Sequence, residues 1–243
     1  MMKIQSFLTS SLCTFALLAF TTIQSGCVNL NYMPLKKGQD DIDLSKESIV
    51  LITAKVSNQF KINHQPALTR AAFVDVNANR MIYVEIEDEP FKRVEHQYNE
   101  YILSFKLKPG IYIFAFLLGC SIKSCHSIFT GTNFDLPINQ KINIKANSIV
   151  YLGKINAVIR KSNNDYEVRA GSTGHTIIGQ ALAGFSDGTF DVEFKDNYDE
   201  DMKLYLSVYP ALEKFRIDKS ILPPWKRPTS SSVELYRKEI LGL

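Results

Sequence analysis

Between Ser48 and Arg169 the chain runs in short apolar stretches cut by turn residues, the pattern of strands rather than helices. "SIVLITAKV" is β-branched and apolar. "AAFVDV" and "RMIYVEIE" flank Asn77-Ala78-Asn79 and predict a hairpin. In "NEYILSFKL", Tyr101, Leu103, Phe105 and Leu107 share one face while Ser104 and Lys106 lie on the other. Lys108-Pro109-Gly110 turns the chain into "IYIFAFLL", which is apolar on both faces and predicts a central strand covered twice. "NFDLPI", "KINIKA", "SIVYLGKINAVI" and "DYEVRA" continue the series. Eight or more short strands with turns between them predict an antiparallel β-sandwich of immunoglobulin or transthyretin type over residues 47–170.

The pattern changes after Gly171. In "GSTGHTIIGQALAGFSDG", Ile177, Ile178, Ala181, Leu182 and Phe185 have helical spacing, interrupted by Gly179 and Gly184. "TFDVEF" predicts one more strand. In "DNYDEDMKLYLSVYPAL", Asn197 with Glu200 three residues later predicts a capping box, and Asp199 and Asp201 suit the positive end of a helix. Met202, Tyr205, Leu206 and Tyr209 form an apolar stripe that Pro210 ends. "LPPWKRPTSSS" reads as an extended connector, and Ser231 with Glu234 predicts a last short helix. Residues 171–243 are thus a small extension, partly α-helical, packed on the sandwich.

Composition agrees with this picture. Eleven Tyr and 15 Phe against one Trp favour pleated, aromatic-packed strands. The formal net charge of +3 comes without a basic block, which argues against a nucleic-acid partner. At the amino end, Lys3 is followed by a mostly apolar run from Phe7 to Ile23, with no acidic residue before Asp40 and small residues before Cys27. This is the layout of a secretory signal over residues 1–26 and predicts export. Residues 27–46 are polar, charged and aperiodic, and read as a flexible tether.

Ser25-Gly26-Cys27 after an apolar run resembles a bacterial lipoprotein signal, with Gln24 standing where that family usually has Leu. The resemblance implies cleavage before Cys27, acylation of that cysteine and attachment to a membrane through the lipid. Val28 in the next position implies outer-membrane sorting in a bacterium with two membranes. The cysteine count bears on the same point. Cys13 leaves with the signal, so Cys27, Cys120 and Cys125 remain, an odd number that becomes even if Cys27 carries lipid. The alternatives are ordinary cleavage that leaves Cys27 free, and an uncleaved anchor. The stretch from "SIVLITAKV" through Lys108-Pro109-Gly110-Ile111-Tyr112 to Tyr151-Leu152-Gly153 is also similar to the extracytoplasmic β-sandwich domains of uncharacterised bacterial lipoproteins. That likeness implies a fold and carries no catalytic residues.

Candidate chemistry is sparse. Gly184-Phe185-Ser186-Asp187-Gly188 matches the nucleophile pattern of esterases, which needs a strand before the serine and a helix after it. Here a strand pattern follows, and His64, His96, His126 and His175 all precede Ser186, so a turn explains the motif better. Cys120 and Cys125 could form half a metal site, with His126 adjacent, or a redox pair; after export a disulfide is the better reading. Glu85, Glu87, Asp88 and Glu89, and then Asp196, Asp199, Glu200 and Asp201, are acidic clusters without calcium-loop spacing. Trp225 could stack on a ligand or pack its connector onto the core. The overall expectation is a lipid-anchored envelope protein, without catalytic residue, metal or cofactor, that binds a partner protein or serves a structural role. A hydrolase using Ser186 and a small-ligand or glycan carrier are the alternatives.

Overall fold

The computed structural model describes residues 31–87, 89–123, 125, 132–171 and 177–228. The strands are β1 (Asn31–Tyr32), β2 (Ser48–Asn58), β3 (Pro66–Asp75), β4 (Arg80–Glu85), β5 (Lys92–Val94), β6 (Tyr98–Leu107), β7 (Gly110–Ser121), β8 (Asn133–Ile144), β9 (Ile149–Lys161), β10 (Gly188–Lys195) and β11 (Ile217–Lys219). Helices α1 (Ile177–Ala183) and α2 (Tyr198–Val208) and a 3₁₀ turn at Pro210–Lys214 complete the described elements. One sheet has the order β1-β4-β3-β7-β8; the other runs β10-β9-β2-β6-β5, with β11 also on β9. The molecule is mainly β, a two-sheet sandwich with a small helical part, as the alternating pattern predicted.

The sheets are mixed rather than wholly antiparallel. β2 pairs β6 antiparallel but β9 parallel, and β1–β4 and β11–β9 are parallel too. Periodicity sets which face a residue takes and is blind to strand direction, so this could not be read from the pattern. Between the sheets lie Val50, Ile52, Ala54 and Val56 of β2, Leu103 and Phe105 of β6, Phe73 of β3 and Phe114 of β7. Phe73 stacks on Phe114 at 4.6 Å and meets Phe105 edge-on at 5.1 Å, joining the two sheets. Burial of each such ring stabilises the fold by about 1.5–3 kcal/mol. The register of β7 against β8 shifts between Phe114 and Phe116. Phe116 therefore joins Ala72, Val74 and Ala115 in a separate cluster, while Leu117 returns to the main core.

A third layer covers the outer face of the second sheet. Met202 and Tyr205 of α2, and Tyr209 just past its end, pack on Ile49, Leu51, Ile149 and Tyr151, joined by Leu35 and Ile42. The stripe read from the sequence is the docked face, with Leu206 only partly buried. Leu35 and Ile42 correct the tether expectation for residues 31–46: β1 pairs β4, and Met33, Leu35 and Ile42 are all buried. Isolated apolar residues among charges show no periodicity, so their destination was invisible in the sequence.

Other expectations also shift. β10 pairs β9 at eight positions and is an integral strand of the sheet, so the boundary at 170/171 does not separate it from the sandwich. "NFDLPI" and "KINIKA" are one strand, β8, that passes through Asn139 at φ +50°. "DYEVRA" is not a strand. Instead, Ala170 donates to Gly188 O at 2.8 Å and accepts from Asp135 N at 3.1 Å, so the segment bridges β10 and β8 across one side of the sandwich. Helix α1 forms where expected but buries Gln180 and Ala183, and leaves Ile178 and Leu182 exposed. The last predicted helix, around Ser231 and Glu234, lies outside the described residues. Gly153, in the Tyr-x-Gly element, adopts φ +110° where β2 slips register against β9. A Cβ there would sit 2.8 Å from Lys195 O.

Candidate functional site

The most elaborate polar construction outside the core lies at the end of the sandwich where β2 turns into β3. Asn58, the last residue of β2, accepts from Phe60 N (3.1 Å) and Lys61 N (2.8 Å) with Oδ1. Its Nδ2 donates to His64 O and Ala183 O, both at 3.0 Å. Gln65 answers from the other end of the loop. Its Oε1 accepts from Asn58 N at 3.0 Å, and its Nε2 donates to Asn58 O at 3.1 Å and Ile62 O at 2.9 Å. Two buried amides thus hold residues 59–64 as a rigid loop, each polar atom satisfied. His64 Nδ1 sits 3.2 Å from Ser121 Oγ; burial, aided by Lys123 and Lys61, pushes its pKa below the usual imidazole range.

Two recesses adjoin this loop. One, of about 490 Å³, opens over Lys55, Tyr98 and Asn156 on the outer face of the second sheet. The other, of about 350 Å³, enters between the sheets past Arg93, Lys123 and Ile122 to Asn99. Ile62 and His96 border both. His96 holds φ +58° in the turn from β5 to β6, a conformation common for few side chains. Lys55 Nζ lies 3.8 Å from the Tyr98 ring centroid. Asn99 was not singled out in the sequence, yet the signal was there. It occupies the phase of Tyr101, Leu103, Phe105 and Leu107, a polar residue at a core position.

A second buried polar cluster sits beneath α2. Asp201, 3% exposed, accepts from Tyr151 OH at 2.6 Å, from Thr53 Oγ1, and from Asn197 Nδ2 at 2.6 Å. Burial, with the hydrogen bond to Asp201, drives the Tyr151 phenol well above its ordinary pKa. The neighbouring Tyr205 hydroxyl lies 2.6 Å from Leu103 O and 2.8 Å from Ile52 O and is held neutral by complete burial. The expected capping box is therefore absent: Asn197 spends its side chain on Asp201, and Glu200 pairs with Lys203 at 2.9 Å.

The residues flagged in the sequence do not converge. Cys120 and Cys125 are at disulfide distance, Cα–Cα 5.2 Å, closing the end of β7; His126 and Cys27 lie outside the described residues. Ser186 follows α1 and precedes β10, the reverse of the strand–turn–helix order an esterase elbow needs. The acidic clusters disperse into separate pairs: Glu85 with Arg70, Glu87 with Lys36 (3.6 Å), Glu89 with Arg93 (2.8 Å) and Asp196 with Lys219 (2.7 Å). Asp88 lies outside the described residues. Among the described residues, no group of three or more His, Cys, Asp or Glu stands together to hold a metal ion. Trp225 donates from Nε1 to Pro137 O at 2.8 Å and fastens its connector to β8.

The fold and site define a mainly β sandwich with one loop-built end and a helix-covered sheet. In comparisons with known proteins, no family model, curated protein or solved structure matches the chain.

Proposed function

We propose that the chain is a lipid-anchored protein of the bacterial cell envelope that acts by binding, through a partner protein or a small ligand, rather than by catalysis. The cysteine count carries the reading. With Cys120 and Cys125 at disulfide distance, Cys27 is the thiol left over in a chain cut before it, and acylation accounts for it. Two or more acyl chains hold a protein on a membrane durably, since each buried methylene contributes about 0.8 kcal/mol. Val28 supports placement at the outer membrane.

The test is metabolic labelling with radioactive palmitate in a bacterial host, comparing the full chain with Cys27→Ala. The wild type is expected to carry label and sediment with membranes, and the variant to lose both properties. Equal labelling of the two, or none in either, refutes the anchor.

A further inference from the structure

Asn99, one of the residues lining the recess between the sheets, carries a buried polar atom that the described residues leave without a partner. Asn99 is fully buried, at 0% exposure. Its Nδ2 donates to Pro66 O at 2.7 Å, a contact only the amide nitrogen can make, so the identity of the other atom is settled. That atom, Oδ1, has no hydrogen-bond partner among the described residues, and Asn99 lines the recess. A desolvated carbonyl oxygen without a donor is unfavourable, and a ligand hydroxyl or N–H placed against it removes the penalty. Gln65 beside it is fully engaged in holding the loop, so the acceptor in this wall is Asn99.

The surroundings narrow the ligand class. Both cavities fall in the size range of small-molecule sites, and they share a border at Ile62 and His96, which suits a ligand of two linked units. The outer recess presents the amides of Gln59, Gln97 and Asn156, side chains that both donate and accept, as sugar hydroxyls do. Among the described residues lining the two recesses, the cations Lys55, Arg93 and Lys123 outnumber the one carboxylate, Glu95. Lys55 is turned over the Tyr98 ring and Arg93 is paired with Glu89, so Lys123 is the cation best placed for an anionic group. We infer that this end of the sandwich binds a short acidic saccharide, one hydroxyl donating to Asn99 Oδ1 and a carboxylate facing Lys123. The inference deepens the reading of the chain as a binding module. Acylation of Cys27 and saccharide binding are measured separately, so either can fail alone.

The experiment is isothermal titration of the full mature chain in detergent micelles at low salt, with digalacturonate and with neutral lactose as probes. Digalacturonate is expected to saturate a single site, and lactose to bind at least about tenfold more weakly. Ile62→Trp fills the shared border from a position 53% exposed, which leaves the core untouched, and should weaken digalacturonate at least about tenfold. Lys123→Glu should do the same to digalacturonate while leaving lactose unchanged. Asn99→Leu should weaken both probes; should it fail to fold, the two surface variants decide. Absence of saturable binding by either sugar, or digalacturonate binding unaltered by Ile62→Trp, overturns the site. Equal binding of the two sugars overturns the role of the cation.

Discussion

Replacing Asp201 tests whether the buried carboxylate holds α2 on the sandwich. The side chain is 3% exposed and takes hydrogen bonds from Tyr151 and Thr53, which are both fully buried, and from Asn197. Asp201→Ala removes the shared acceptor and strands two hydroxyls away from water. Each stranded buried donor costs about 1–3 kcal/mol, so the loss should be about 2–6 kcal/mol. That is a large part of the 5–15 kcal/mol typical of a domain, an order-of-magnitude scale. Asp201→Asn keeps an acceptor for Tyr151 and Thr53 but gives up the charge assistance and the acceptor for Asn197, whose amide must turn over to pair again, so it should cost less than alanine, about 1–2 kcal/mol. The triple variant Thr53→Val/Tyr151→Phe/Asp201→Leu removes donors and acceptor together and should regain most of the loss, because no buried polar group is left unpaired. Urea unfolding followed by the fluorescence of Trp225, the chain's one tryptophan, reports these differences. An Asp201→Ala protein within about 0.5 kcal/mol of wild type, the range of ordinary surface substitutions, refutes the argument. So does a triple variant no more stable than the single alanine.

Two further outcomes follow from the geometry. Gly153→Ala should destabilise by more than about 1 kcal/mol, because φ +110° disfavours any side chain and the new Cβ would crowd Lys195 O, 2.8 Å away; an unchanged urea midpoint would sink that reading. Glu167 is hydrogen-bonded by Arg160, by Asn163 N and by Ser162 Oγ, and its pKa is lowered to about 2, Arg160 being the main cause. A carboxylate with a depressed folded-state pKa contributes stability above its unfolded value, and that contribution fades as pH falls from about 4.5 toward 2. Urea midpoints measured from pH 7 to pH 3 should therefore decline less steeply in Glu167→Gln than in wild type, and parallel curves would contradict the assignment.

Much of the architecture was legible. The alternation of Tyr101, Leu103, Phe105 and Leu107 put those side chains on the inter-sheet face of β6, but it gave no sign that Ile102 and Ser104 on the other face are buried too, under the layer that covers the second sheet. The doubly apolar "IYIFAFLL" marked β7 as a central strand, and it does lie between β3 and β8. Met202, Tyr205 and Tyr209 identified the docked face of α2. Asp201 misled, since an acidic residue in a first helical turn has a sufficient local explanation in the helix dipole; only the arrival of Thr53 and Tyr151 from distant strands gives it another. Asn58 and Gln65 were equally silent, because paired amides seven positions apart look like ordinary loop residues until the chain brings them face to face.

The sequence by itself determined the strand-rich class, the turns at Asn77–Asn79 and Lys108–Gly110, and the stripe on α2. These are local properties, set by periodicity and turn chemistry within a few residues. The tertiary structure alone decided that β9 runs parallel to β2, that residues 31–46 pack instead of hanging free, and that β10 completes a sheet. It also set Asn99 in the lining of a recess formed by β5, the start of β6, the residues just after β7 and the 59–65 loop. Such features depend on contacts between residues tens of positions apart, and pairing direction, register and the meeting of distant polar groups leave no periodic trace in any one segment.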